Sequence, residues 1–186
     1  MSGTNRRCTM NLYKSGFVVA EITDKGNFTY KAWPLFDLTD DKIALAITDE
    51  AYNIWFDKYE MQHIVPDLNY IKRYLAYCEV LRLNVEVLLF ETLYNEFVID
   101  ESYVVCETLG FDCISTVYES FLRTEFEYFK KDLEANDIRL NQYGLFNSLE
   151  DTVYFSELRK KSIESGENIE DFWEEMPVRV STVKLL

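Results

Sequence analysis

Val85-Glu-Val-Leu-Leu-Phe90 is the stretch on which the fold turns. It is an apolar run broken only by Glu86, the pattern of a strand buried on both faces rather than one alternating between core and water. Around it, Leu83 to Leu122 holds eight acids (Glu86, Glu91, Glu96, Asp100, Glu101, Glu107, Asp112 and Glu119) and no lysine or arginine, with Arg82 and Arg123 at its borders. Carboxylates just beyond a buried strand, without basic neighbours in sequence, need open water or a positively charged visitor.

Outward from that strand the chain reads as alternating punctuation and periodicity. Leu68, Ile71, Tyr74, Leu75, Cys78 and Leu81 recur at helical spacing after Pro66, which predicts an amphipathic helix feeding the strand. Tyr103–Cys106 and Phe111–Ile114 predict one or two further strands with a bend at Gly110. Thr116 with Glu119 three residues on has the form of a capping box. It opens a helix whose apolar face is Tyr118, Phe121, Leu122, Phe126, Phe129 and Leu133, with Lys130 and Lys131 expected in its last turn. Asn136 to Leu145 is a polar connector. Ser148 with Asp151 then signals a helix ending near Gly166, with Lys160 and Lys161 at its negative end.

Glu167 to Glu175 is an acidic segment around Phe172 and Trp173, and Pro177 opens a final strand, Val178 to Leu186. Toward the other end, Phe17–Ile22 and Phe28–Trp33 flank Asp24-Lys-Gly-Asn27 and predict a hairpin. Ile43–Ile47 fits either a short strand before a helix at about 49 to 63 or the first turns of one helix from 40. The expected architecture is α/β or α+β: one layered domain over 10–186, with a mainly antiparallel or mixed sheet and helices on at least one face. Residues 1–9 read as a poorly ordered leader ahead of Met10.

Composition bounds the function. Of 186 residues 48% are hydrophobic and 16% aromatic, which is ample material for a core. Thirty-three acids against nineteen bases give a formal charge of -14, which disfavours nucleic acid and anionic membrane surfaces and favours basic proteins. The same acidity also serves solubility alone. No apolar run reaches the roughly 18 residues of a membrane span. Cysteines 8, 78, 106 and 113 form no Cys-x-x-Cys pair, consistent with a reducing cytoplasm.

Catalytic chemistry has little to stand on. The single histidine, His63, lies in a Glu-x-x-His spacing with Glu60, but a di-iron site needs two such pairs. No Gly-x-Ser-x-Gly elbow, glycine-rich phosphate loop or EF-hand spacing occurs. No cofactor or metal is expected. Carboxylate pairs for hydrolysis are nonspecific in a chain this acidic. Acids interleaved with aromatics instead suggest a binding surface: Glu86, Glu91, Tyr94, Glu96, Phe97, Asp100, Glu101, Tyr103, Glu107 and Asp112, the carboxylates steering and Tyr94, Phe97 or Tyr103 anchoring.

At Thr108-Leu-Gly-Phe-Asp-Cys-Ile-Ser115 and Leu140-Asn-Gln-Tyr-Gly-Leu-Phe-Asn-Ser-Leu-Glu-Asp-Thr-Val-Tyr-Phe155 the chain resembles small acidic immunity proteins encoded beside bacterial polymorphic or contact-dependent inhibition toxins. That resemblance implies a non-enzymatic cytoplasmic domain that binds a cognate toxin, often a nuclease, and blocks its active site or substrate groove. A carboxylate-dependent hydrolase and a structural or regulatory module are the competing expectations.

Overall fold

A computed structural model describes residues 12–21, 66–80, 82, 84–93, 99, 101–115, 120–166 and 175–186. In chain order its elements are β1 (Tyr13–Glu21), α1 (Leu68–Val80), β2 (Val85–Thr92), β3 (Tyr103–Ser115), α2 (Phe121–Ala135), α3 (Leu149–Ser165) and β4 (Glu175–Leu185). The four strands form one sheet in the order β1-β2-β4-β3. Every pairing is antiparallel, with Phe17 opposite Leu89, Leu89 opposite Ser181, and Ser181 opposite Thr108. The fold class is therefore α+β, and the doubly buried reading of β2 holds: Val87 through Thr92 are all buried.

Alternation sends Val18, Leu88, Phe90, Val178 and Val180 to one face. They merge there with Phe121, Leu122, Phe129 and Leu133 of α2, Phe155 of α3, and Leu145 and Phe146 between the helices. Phe129 meets Phe155 edge-on at 5.7 Å. The alternate residues Phe17, Val19, Val87 and Leu89 are also buried. On α1, Leu68, Ile71 and Cys78 are buried, and this helix packs against β1. Lys72 of α1 donates to the Leu186 carbonyl at 3.0 Å.

The sheet is strongly curled. In a flat sheet β1 and β3, three strand spacings apart, would lie roughly 14 Å from each other. Yet the rings of Phe17 and Tyr103 meet edge to face at 5.1 Å, and Lys14 Nζ stands 5.4 Å over the Tyr103 ring. The cause is in the strands: β3 breaks register between Val105 and Glu107 and again between Thr108 and Gly110, and β1 does so between Lys14 and Gly16. Each extra residue bends the ladder.

The two apolar runs around Gly110 are one strand, the first of the two alternatives. Other expectations change. The helix after that strand starts at Phe121 with Ser120 as N-cap rather than at Thr116, and it runs to Ala135, so Lys130 and Lys131 fall short of its last turn. Ser120 makes no side-chain cap bond because its hydroxyl donates to Asp112 at 3.0 Å. The next helix begins as predicted: Ser148 accepts from the Asp151 N–H, and Gly166 closes it at a φ of 74°. Lys160 and Lys161 likewise precede its last turn.

The final strand begins at Glu175, so Pro177 lies inside it. A proline without an N–H fits because β2 pairs only as far as Val178, and the missing donor would point where that neighbour has ended. Phe28–Trp33, Ile43–Ile47, the helix at 49 to 63 with His63, and Glu167–Glu174 lie outside the described residues; the described partner of β1 is β2.

Candidate partner-binding surface

β3 is an edge strand, and its two halves are treated differently. The C-terminal half is covered: Phe111 and Phe146 exchange backbone hydrogen bonds of 2.9 Å each way, and Ile114 bridges to Ser120. Asn141 fastens the intervening turn. Its Nδ2 donates to the Leu109 carbonyl at 2.8 Å, while its Oδ1 accepts from the Tyr143 and Leu145 N–H groups at 2.9 and 3.2 Å. Gly110 permits this approach, because a Cβ there would stand 2.6 Å from the Phe146 carbonyl oxygen at a φ of +147°.

Between strand and turn lies an open cleft of about 420 Å³, lined by Thr108, Gly110, Phe111, Asn141, Tyr143 and Asn147 among others. Its walls carry amides, the hydroxyls of Thr108 and Tyr143 and the ring of Phe111, a lining that can hydrogen-bond a peptide. Tyr143 reaches out of it to donate to Glu107 Oε1 at 3.0 Å. The N-terminal half of β3 is open among the described residues: Val104 is 51% and Val105 46% exposed, and Cys106, Glu107 and Thr108 are exposed as well.

At the other end of β3 lies a buried ionic cluster that the sequence did not announce. Arg159 of α3 is fully buried and forked onto Glu125 of α2, with Nη2 to Oε1 at 2.8 Å and Nε to Oε2. Its Nη1 donates to Glu175 at the start of β4, and its guanidinium lies 3.4 Å from the ring centre of Phe121. Burial pulls the Arg159 pKa down, but the hydrogen bonds to Glu125 and the charge of Glu175 outweigh it and leave it raised. Glu175 also accepts from the Ser156 hydroxyl.

Cys113 points its thiol at Glu175, 3.7 Å away. Burial first, then the carboxylates of Glu175 and Asp112, push that thiol well above its ordinary value. A thiol held protonated and enclosed is no nucleophile. The cluster therefore joins two helices to two strands.

Of the ten residues of the predicted surface the six that are described do not share one outward face. Asp112 is fully buried and accepts from the Cys113 N–H at 2.7 Å and from Ser120. Glu91 is buried and forked by Arg179, with Nη2 to Oε1 at 2.8 Å, and this hydrogen bonding holds the Arg179 pKa above its usual value. Tyr103 is buried against Phe17. These three are interior groups: Glu91 and Tyr103 meet partners from distant parts of the chain, Asp112 partners one and eight residues away. Glu86 is half-buried.

Glu101 and Glu107 are at the surface, Glu101 pairing with Lys14 at 2.9 Å. Tyr94, Glu96, Phe97 and Asp100 lie outside the described residues. Asn141 and Tyr143 were not singled out by sequence reasoning, although they sit in one of the two stretches quoted for the resemblance. Those two stretches are neighbours in space, joined at Phe111 and Phe146.

No group of three or more potential ligands that could hold a metal ion occurs among the described residues, and none of their helices is long and apolar enough to cross a membrane. Compared with protein-family models, curated proteins and solved structures, the chain matches none.

Proposed function

We propose that this chain is a non-enzymatic, cytoplasmic binding protein that neutralises a basic protein toxin, a nuclease being the expected class, by covering its active site or substrate groove. The observation that carries the reading is the pairing of a -14 formal charge with an exposed edge on which Glu101 and Glu107 flank Val104 and Val105. Long-range attraction steers a cationic protein toward such a molecule, and apolar side chains beside the carboxylates give it something to bury on arrival. The interior acids Glu91 and Asp112 take no part; their role is to hold the strands that present the edge.

The test is kinetic. The product of the open reading frame adjacent to this one is titrated against the full chain over a range of salt concentrations. Tight, salt-weakened association is expected, with inhibition of whatever activity that product has. Glu101→Lys with Glu107→Lys slows association and flattens its salt dependence. Binding whose rate ignores both salt and these reversals would remove the electrostatic basis of the reading.

A further inference from the structure

We propose that the open half of β3 is a docking edge for one extended segment of a cationic partner, which adds to the sheet as a fifth strand beside Tyr103–Thr108. This rests on the binding reading above and specifies its mode. The register supplies the geometry. The Leu186 N–H donates to the Ser102 carbonyl at 3.0 Å, and Val104 stands opposite Lys184. In an antiparallel ladder inward and outward backbone groups alternate, so Ser102 and Val104 face β4 and the N–H and carbonyl of Val105 face away from it.

Further along, the outward groups are already taken. The Leu109 carbonyl receives Asn141, and Phe111 is paired with Phe146. The chain thus covers its own edge from Leu109 onward and, among the described residues, stops short of Val105. The uncovered part carries apolar Val104 and Val105, an unusual dressing for a strand edge that must stay solitary.

Charge selects the occupant. A second copy would bring -14 against -14, and a large net charge of one sign keeps copies apart. Of the nearby charges Lys14 is held by Glu101, whereas Glu107 is exposed and accepts from the neutral Tyr143 hydroxyl. An incoming strand with apolar residues on the face of Val105 and lysine or arginine on the face that Glu107 shares with Val104 satisfies both backbone and side chains.

The probe is a synthetic peptide of about nine residues alternating valine and lysine, long enough for a typical strand, and a second peptide of the same sequence N-methylated at every amide. Charge and side chains are the same in both, but only the first has backbone donors on either edge with which to form a ladder. At low ionic strength the unmethylated peptide binds the full chain saturably and slows amide exchange at Val105 by about tenfold or more. The methylated one binds at least about tenfold more weakly.

Equal binding of the two peptides, or binding that leaves the Val105 amide unprotected, overturns strand addition while leaving the electrostatic reading intact. Absence of binding at millimolar peptide overturns it too, since the broader reading is decided by the separate titration with the neighbouring gene product. Sedimentation showing a dimer with Val105 already protected would assign the edge to a second copy instead.

Discussion

The guanidinium of Arg159 and the carboxylate of Glu125 meet fork to fork where α3 crosses α2, with the arginine wholly out of water. A pair of this kind is nearly neutral compared with apolar residues of equal volume, but removing one member strands the others. Arg159→Ala leaves Glu125 and Glu175 without their shared cation and should cost about 3–5 kcal/mol. Arg159→Lys should also be poor, because an ammonium cannot bond Glu125 bidentately while lying flat over Phe121. Replacing the trio together (Arg159→Met, Glu125→Leu, Glu175→Leu) should recover most of the stability. Chemical denaturation midpoints decide this; a triple variant as weak as Arg159→Ala would show that the charges are not what the single substitution disturbs.

Gly110→Ala should detach the turn that covers the second half of β3. The added methyl would press on the Phe146 carbonyl and, at 2.8 Å, on Leu145 Cβ, at a backbone angle that L side chains rarely adopt. Overpacking of this kind costs about 1–3 kcal/mol. Amide exchange at Phe111 and Phe146 should accelerate well before global unfolding, and unchanged protection at both would contradict the fit described for the glycine.

Cys113 should make the fold sensitive to alkali. Its folded pKa is raised, so the thiol's contribution to stability is complete below the ordinary thiol range, near about pH 8.5. As pH climbs beyond that range the unfolded chain releases a proton that the folded one retains, and stability falls. Cys113→Ala, although weaker overall, should show a shallower loss between pH 8.5 and 10. Alkylation followed by peptide mapping should find exposed Cys106 modified long before buried Cys113 and Cys78.

Phe17 and Tyr103 should be energetically coupled despite lying on strands separated by two others. A double-mutant cycle with leucine at each position is expected to return about 0.5–1.5 kcal/mol for the edge-to-face contact. A coupling near zero would mean that the curl does not depend on this contact.

Local features were the legible ones. Val85–Phe90 declared its double burial through composition, and Ser148, Asp151 and Gly166 marked both ends of α3, because caps act within a turn of the backbone they serve. Thr116 misled because its spacing to Glu119 satisfies the same local rule, whereas Ser120 is fixed by Asp112 from another element. Arg159, beside Lys160 and Lys161, reads as part of a solvated helix face; only the packing of Glu125 and Glu175 around it shows otherwise. Glu91 and Arg179 are 88 residues apart, and no window along the chain pairs them. Glu91 was misjudged because a carboxylate without basic neighbours in sequence can still have one in space, and Asp112 because neutral donors, the Cys113 N–H and the Ser120 hydroxyl, meet it in the interior.

β4 comes after all the other described strands and yet lies between β2 and β3. A nascent chain extruded as far as Gly166 therefore holds two hydrophobic strands whose common neighbour has not left the ribosome. Through that interval their ladders are open to any passing polypeptide, so synthesis rate and holdase chaperones should govern how much of this protein is recovered intact.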